Sequence, residues 1–168
     1  GRTSLLLSLL ATGVGEGALA AVVDAADAFD PPSAETAGVA LSRVLWVRAP
    51  DVPSALRSAE RLLETRGLPL LLLDLGLATA SPRVAPAAWP RLARAAAASA
   101  AALVVLATER LTGPCAECAL WLEPLPPRFT GTPPLFEGLE SRAVLVRSRE
   151  APEGRAARVR LHRRRAAG

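Results

Sequence analysis

The first four residues have the composition of a phosphate-binding turn. Gly1, Arg2, Thr3 and Ser4 lead directly into an apolar segment with helical spacing, and a helix start offers free N–H groups and a positive dipole end to an anion. A phosphate-binding loop closes on Gly-Lys-Ser or Gly-Lys-Thr. Gly1-Arg2-Thr3 fits these last positions with Arg in place of Lys. The segment predicts an inherited nucleotide-binding turn, against the simpler alternative of an ordinary helix start.

Acidic residues follow two of the apolar runs. Asp24 follows residues 18–23 and Asp74 follows residues 70–73. In an open α/β sheet, ligands bind at the carboxyl ends of the strands, and an acid after an apolar strand holds Mg²⁺ in many nucleotide-binding proteins. We therefore expect Thr3 and Asp74 to be the ligands of Mg²⁺, if it binds at all. The acids from Asp24 to Asp30 are also what a solvated loop would contain.

The segments that must position these residues alternate between short apolar runs and longer periodic stretches. Continuous apolar runs are typical of strands that are covered on both faces. Such runs are found at residues 18–23, 44–47, 70–73 and 103–107. Helical spacing is found at residues 4–12, 53–66 and 86–101. The alternation predicts an α/β fold with a mainly parallel sheet and helices on both faces.

The pattern changes from residue 119 onward. We predict a strand at residues 119–122, a proline-rich loop at 124–134, and a hairpin of residues 142–147 and 155–161 around Pro152-Glu153-Gly154. These strands would form an antiparallel extension at the C-terminal end. We expect residues 1–168 to be a single domain, and a fragment that lacks the front of the phosphate loop and both terminal regions.

The composition excludes several classes of protein. Apolar residues make up 51% of the 168 residues and charged residues 21%, which excludes a disordered chain. The net charge is +4, and every basic side chain other than the one His is Arg, which fits a GC-rich genome. Cys115 and Cys118 lack the second pair that a closed zinc site needs, so we expect two free thiols in a reducing, cytoplasmic compartment. No apolar run is long enough to cross a membrane.

In this order and spacing, the motifs resemble the ATPase core of RecA. The RecA pattern D-A-E-x-A-x-D-P corresponds to residues 24–31, the Pro-Asp after the second strand to residues 50–51, and a V-K-N-K segment to residues 146–149. The resemblance implies a RecA-like P-loop NTPase core. It also implies that Gly1, Arg2, Thr3, Ser4 and Asp30 belong to a nucleotide site, which we expect to be vestigial.

The departures from RecA concern the chemistry of hydrolysis. The glutamate that orients the attacking water in RecA corresponds to Ala26, which can neither accept a proton nor polarise water. Arg2 replaces the P-loop lysine, Ser33 replaces the aromatic residue that contacts adenine, and Glu109 lies near the polar residue that senses nucleotide. The loops that bind DNA in RecA correspond to residues 78–88 and 112–117. The first of these segments contains one arginine, and the second contains none. We expect no catalytic residue and, in this chain, no cofactor; ATP and Mg²⁺ are expectations for the full-length protein.

A RecA-like core with degenerate ATPase motifs is similar to the ImuA family of bacterial mutagenesis operons. The similarity implies an accessory role in SOS-induced translesion synthesis and DNA repair, in the bacterial cytoplasm and at the nucleoid. It implies contacts with RecA, ImuB, a second copy of the chain or an error-prone DNA polymerase. Arg147 and Arg149 correspond to RecA lysines at a subunit interface, so we predict an interface there, against the alternative of a solvated hairpin face.

Two other functions remain open at this point. The protein could be an active DNA-dependent ATPase in which Asp24 or Asp27 replaces the missing glutamate. It could instead be a DNA-binding module that uses the terminal basic run, Arg163, Arg164 and Arg165, to contact phosphates. The same run is also what a linker end would contain.

Overall fold

The computed structural model describes residues 1–15, 17–65, 67–76 and 84–162. The helices are α1 (Arg2–Gly15), α2 (Pro31–Thr36), α3 (Val52–Glu64) and α4 (Ala88–Ser99). The first four strands are β1 (Ala20–Asp24), β2 (Val44–Arg48), β3 (Leu70–Asp74) and β4 (Ala102–Leu106). The last four are β5 (Cys118–Pro124), β6 (Arg128–Thr130), β7 (Leu135–Ser148) and β8 (Ala156–His162).

The first four strands form a parallel sheet in the order β2-β1-β3-β4. The pairing is continuous, with Ala20 beside both Val44 and Leu70 at one end and Asp24 beside Asp74 at the other. The register therefore brings the two acids that end β1 and β3 to the same edge of the sheet, as the sequence predicts. All four strands overlap the predicted apolar runs.

Helices cover both faces of this sheet because side chains of a strand alternate between its faces. On one face, Leu6, Leu10 and Val14 of α1 pack with Val22 and Leu72. On the other face, α3 and α4 pack on the intervening strand residues, with Ala59, Leu63, Trp89 and Leu92 in contact with the cluster around Leu71. Since each fully buried Leu contributes about 1.5–3 kcal/mol, these two layers hold the parallel sheet in place. The predicted α/β architecture is confirmed.

Acidic caps begin the two helices that follow β1 and β2. Asp51 accepts the N–H of Ser54 at 2.7 Å, directly before α3, which satisfies one of the free N–H groups of the first turn. Asp30 caps α2 in the same way through Ser33 at 3.0 Å. The sequence pattern missed α2 because the helix is six residues long and buries one side chain, Ala34.

The last four strands form a separate antiparallel sheet around the long strand β7. The predicted hairpin is confirmed: β7 and β8 pair from Gly138 with His162 to Val144 with Ala156. Gly138 also pairs with Arg128 of β6, and Val144 also pairs with Trp121 of β5, so β5 and β6 follow one another along the other edge of β7.

The prediction of a loop over residues 124–134 is wrong in its middle part. Pro126 and Pro127 cannot donate to a ladder, but β6 begins directly after them at Arg128 and pairs with the early part of β7. β7 accordingly begins at Leu135, seven residues before the predicted start of that strand. The pairing of β6 with β7 therefore outweighs the local preference of the prolines for a loop.

The chain divides into two compact units, one formed by Leu6–Cys115 and the other by Gly1–Leu5 together with Ala116–Gly168. The first unit contains the parallel sheet, and the second contains the antiparallel sheet. None of the helices in the described ranges combines the length and the apolar character that crossing a membrane requires.

Candidate functional site

The predicted phosphate-binding residues form the first turn of α1. Arg2 is the first helical residue, and the carbonyl of Gly1 accepts the N–H of Leu5 at 3.0 Å. Thr3 is exposed, whereas Arg2 and Ser4 are half-buried. A turn of this kind directs free N–H groups and the positive end of the helix dipole outward. The prediction that these residues begin a helix is confirmed, and their role in binding nucleotide stays a prediction.

Asp24, at the carboxyl end of β1, is hydrogen-bonded to the backbone of the loop that follows it. The side chain is 1% exposed. Its Oδ1 accepts the N–H groups of Ala26 at 2.9 Å and Ala28 at 3.2 Å, and its Oδ2 accepts the N–H of Phe29 at 2.9 Å. Three backbone N–H donors satisfy the hydrogen-bonding needs of this buried carboxyl group. Asp24 therefore shapes the loop that carries Ala26.

Asp27 is joined to the end of β2. Its two carboxylate oxygens accept from Nε and Nη2 of Arg48, both at 2.8 Å, which is bidentate geometry. The hydrogen bond to Asp27 raises the pKa of Arg48 above its usual value. The Arg48 guanidinium also lies over the ring of Trp46, and Trp46 packs against Phe29 with 5.3 Å between ring centroids. This cluster fastens the loop after β1 to the neighbouring strand.

Asp74 ends β3 in a similar manner. Its Oδ1 accepts the N–H of Gly76 at 2.8 Å, and its backbone carbonyl accepts the N–H of Ala25 at 2.9 Å. Gly76 has a φ of +74°, and a Cβ placed on it would lie 2.7 Å from the Cβ of Ala26. The loop after β3 therefore lies directly against the loop after β1, at the position that corresponds to the RecA glutamate. Asp74 is half-buried, so its carboxylate lies at the edge of the sheet.

The other residues implied by the RecA resemblance lie around these strand ends. Asp30 is exposed and caps α2, and Ser33 is its hydrogen-bond partner. Glu109 is exposed and follows β4 by three residues. These positions are in the order that the resemblance predicts, and the structure gives Asp30 a capping role that the sequence analysis did not include.

The two arginines predicted at an interface lie at the end of β7. Arg147 is half-buried and its Nε donates to the carbonyl of Ala116 at 2.8 Å, so it fixes the segment before β5. Arg149 is exposed, and its backbone N–H donates to Glu117 at 3.1 Å. Arg163, Arg164 and Arg165, and residues 78–83 of the first predicted DNA-binding loop, lie outside the described residues.

The two cysteines lie where the chain leads into β5, with Cys118 as its first residue. Cys115 is half-buried and Cys118 is exposed, and both are free thiols. Within residues 1–15, 17–65, 67–76 and 84–162, no group of three or more His, Cys, Asp or Glu side chains is arranged to hold a metal ion.

Sequence reasoning missed two residues that define this site. Arg48 was not singled out, although a basic residue at the end of a strand, next to a strand that ends in acids, is a signal for an ion pair. Gly76 follows Asp74 by two residues, and a glycine directly after a strand is a signal for a positive φ or a close approach. Neither signal identifies the partner, because Asp27 and Ala26 are distant in the sequence.

The fold is similar to that of a solved recombinase. The crystal structure of the RadB recombinase aligns with a TM-score of 0.66 and 22% sequence identity, over 95% of this chain and 81% of that one. This fold and the sequence matches to RecA proteins together support a RecA-superfamily core. The RecA-like fold expected from the sequence is confirmed.

Part of the chain is similar in sequence to bacterial RecA proteins. The chain is 36% identical to RecA of Borreliella afzelii over 85 residues, which are 50% of this chain and 23% of that protein. It is 36% identical to RecA of Porphyromonas gingivalis over 75 residues, which are 44% of this chain and 22% of that protein. The matched region is therefore about a quarter of the length of these relatives. No protein-family model matches the chain.

Proposed function

We propose that the protein is a RecA-like accessory protein of DNA repair and recombination that does not turn over ATP. It acts through contacts with other proteins during SOS-induced translesion synthesis, as the similarity to ImuA implies. Its partners are RecA, ImuB, a second copy of itself or an error-prone polymerase complex. The RecA-superfamily core supports the part of this proposal that concerns DNA repair and recombination.

A single observation carries the non-hydrolytic part: the position of the water-orienting glutamate is Ala26. The neighbouring acids do not offer a replacement, because Asp24 is buried with three backbone N–H bonds and both oxygens of Asp27 bind Arg48. A general base needs an acceptor within hydrogen-bond reach of the water. These engagements favour the accessory role over the alternative of an active ATPase that uses Asp24 or Asp27.

Nucleotide binding is a separate question from turnover. The hydroxyl of Thr3 and the carboxylate of Asp74 are oxygen donors of the kind that Mg²⁺ prefers, and the first turn of α1 offers N–H groups to phosphate. A vestigial site for ATP and Mg²⁺ is the proposal that these residue types support. The accessory role does not depend on their being used.

The test of turnover is a sensitive phosphate-release assay on the full-length protein, with and without single-stranded DNA. We expect no turnover above the background of the Asp74→Ala variant in either condition. Turnover that Asp74→Ala abolishes would show an active ATPase and would overturn the proposal.

The test of partner contacts is co-purification of the full-length protein with RecA, with ImuB and with the polymerase, each expressed separately. The variant Arg147→Glu/Arg149→Glu should lose the partner if the end of β7 is the interface. Arg57→Glu/Arg94→Glu, with both charges reversed on exposed positions of α3 and α4, is the matched control and should keep it. Because Arg147 also holds Ala116, circular dichroism of each variant must first show an unchanged fold.

A further inference from the structure

The hairpin of β6 and β7 exposes large apolar side chains. Leu135 is 67% exposed, Phe129 56% and Phe136 51%. Among the described residues, six of the nine exposed large apolar side chains lie between positions 120 and 139, and the hairpin holds the two most exposed. Contiguous exposed apolar surface marks a site of interaction. We term residues 128–136, which contain these three side chains, the apolar tip.

The apolar tip is apolar on both sides of the two-stranded ribbon. Register partners in an antiparallel ladder lie on the same side, and successive residues alternate. Phe129 and Phe136 are register partners, and their rings meet edge to face with 5.8 Å between centroids. Leu135 precedes Phe136 and therefore lies on the opposite side, with its partner Thr130. A ribbon that lies flat on a partner needs one apolar side, so two apolar sides favour insertion into a cleft.

The composition of this segment lowers the cost of removing it from water. Arg128 is the one charged residue between Pro124 and Phe136, and five of these thirteen residues are proline. Proline has no N–H group to desolvate, and pairing between β6 and β7 satisfies backbone groups of both strands. Burial of unpaired polar groups would be costly. Little polar surface in this segment therefore opposes its burial by a partner.

The two phenylalanines favour a partner with a shaped surface. Their edge-to-face contact fixes the relative orientation of the rings before binding, which reduces the conformational entropy that binding would cost. Aromatic side chains are enriched at protein interfaces, and a few side chains that fill pockets contribute most of the affinity. A fluid bilayer has no pocket that could match a fixed pair of rings. The arrangement favours the cleft of a folded protein over a lipid surface.

Exposed positive charge adjoins the apolar tip on one side of the sheet. Arg128, Arg158 and Arg160 all contact Glu140, at 3.2, 3.6 and 3.1 Å. The Glu140 side chain is 10% exposed, whereas these arginine side chains are between 47% and 64% exposed. The carboxylate is thus covered and the guanidinium groups face solvent. Acidic residues at the rim of a partner's cleft would complement this charge.

We propose that the apolar tip anchors the protein to a partner protein that presents an apolar cleft with an acidic rim. Phe129 and Phe136 contact one wall of the cleft, and Leu135 contacts the other. The inference rests on the proposed accessory function, to which it adds the binding site and the surface chemistry of the partner. Arg147 and Arg149 lie at the other end of β7, so the two sites can be tested separately.

The experiment measures the affinity of the full-length protein for purified RecA, ImuB and error-prone polymerase by biolayer interferometry. Leu135→Ser and Phe136→Ser alter opposite sides of the tip. Each should weaken binding of the partner at least about tenfold, as loss of an anchoring side chain does. Phe136→Leu should retain most of the affinity, because it remains large and apolar.

The matched control is Leu19→Ser. Leu19 is 49% exposed and lies directly before β1, so the variant removes a comparable exposed side chain from the other compact unit and should bind like the wild type. Circular dichroism establishes that every variant is folded. The acidic rim is tested by salt: the association rate should fall between about 0.01 M and about 0.15 M ionic strength, as the Debye length falls from about 30 to about 8 Å.

The outcomes separate this inference from the function on which it rests. If the wild type binds none of the three candidates and does not self-associate, the accessory function fails and this inference fails with it. If a candidate binds the wild type, Leu135→Ser and Phe136→Ser equally well, only this inference is overturned. A loss in just one of the two variants overturns insertion into a cleft, and an equal loss in Leu19→Ser overturns the assignment to the tip.

The remaining outcomes concern the nature of the occupant. An association rate that does not change with salt overturns the acidic rim. Vesicles of phosphatidylglycerol that sediment the wild type but not Leu135→Ser would assign the tip to a lipid surface. A dimer of the wild type that Leu135→Ser dissociates, measured by sedimentation velocity, would assign it to a second copy of the chain. Either result overturns the inference.

Discussion

Asp24 makes three hydrogen bonds to the backbone of its loop, in a site that water does not reach. The carboxylate therefore contributes to stability in this fold and is not available as a base. The acid next to it in the sequence motif, Asp27, is exposed and bound to Arg48. We therefore expect these two aspartates, three positions apart, to contribute very differently to stability.

Replacing Asp24 by Asn tests this difference. The amide keeps one acceptor oxygen and turns an NH₂ group toward N–H donors, so we expect a loss of about 2–3 kcal/mol in the free energy of unfolding. Urea denaturation measures it, with an unchanged m value indicating an unchanged extent of unfolding. Asp27→Asn is the control and should cost much less, because exposed ion pairs contribute little. Equal losses in the two variants would contradict the assigned roles.

Gly76 combines a positive φ with a close approach to Ala26. Gly76→Ala must therefore cost both the left-handed backbone conformation, about 1–2 kcal/mol, and the displacement of a neighbouring loop. Gly67 separates the two effects, because it also has a positive φ of +95° but nothing within 4 Å of its Cβ position. We expect the urea midpoint to be highest for the wild type, lower for Gly67→Ala and lowest for Gly76→Ala.

The contact itself is tested by a double variant. Ala26→Gly removes the methyl group that a Cβ at position 76 would meet. Ala26→Gly/Gly76→Ala should therefore lose less stability than the sum of the two single variants. Additive losses would indicate that the two loops do not touch.

At the scale of the elements, β7 organises the antiparallel sheet through one carboxylate. The hydrogen bond from Arg128, with the charges of Arg160 and Arg158, lowers the pKa of Glu140 below its ordinary value of 4.5. These three arginines come from the two strands on either side of β7. Ionised Glu140 therefore connects β6 and β8 across β7.

This linkage predicts a pH dependence. Because the folded-state pKa of Glu140 is lower than the unfolded-state value, its contribution to stability is complete above about pH 4.5 and is lost as the pH falls through the lowered pKa. The wild type should lose more stability than Glu140→Gln between pH 5.5 and about pH 3. Urea titrations of both proteins in a Trp46→Phe/Trp89→Phe background, followed by the fluorescence of Trp121, measure this. Parallel pH profiles of the two proteins would contradict the linkage.

At the scale of the whole molecule, the two compact units differ in how much apolar surface they bury. The two hydrophobic clusters lie in residues 6–106 with their immediate packing partners up to Cys115. Among the described residues of the other unit, Ala143 is the buried apolar side chain of the sheet. Regions with few buried apolar contacts open at lower free energy.

The tryptophans make this difference measurable. Trp46 and Trp89 lie in the parallel-sheet unit, and Trp121 lies in the antiparallel sheet. In urea, a Trp46→Phe/Trp89→Phe variant, which reports on Trp121, should show a lower midpoint than Trp121→Phe, which reports on the other two. Thermal or urea unfolding monitored by circular dichroism corrects for any stability change that the substitutions cause. Coincident transitions would mean that the two units unfold together.

The hydrophobic pattern of the chain was sufficient to predict the parallel sheet and its helices. Leu70 to Leu73 is a run that is apolar at every position, and it is a strand between two layers of helices. A strand covered on both faces needs no polar position, and the run is too short for a buried helix. The order of acids, glycines and strands was likewise sufficient for the RecA-like core. The short elements α2 and β6 were not predictable, since neither is long enough to show a period.

What the linear sequence determined is therefore the class of core and the absence of a glutamate at position 26. What only the tertiary structure decided is the use of the remaining acids and arginines. Asp24 and Asp27 have the same side chain, and a one-dimensional pattern cannot distinguish a carboxylate that binds its own loop from one that pairs with a neighbouring strand. Arg128, Arg142, Arg158 and Arg160 are scattered over 33 positions of the sequence, and the register of three strands places them on one side of a sheet. Electrostatic interactions depend on distance in space, and the folded backbone sets that distance.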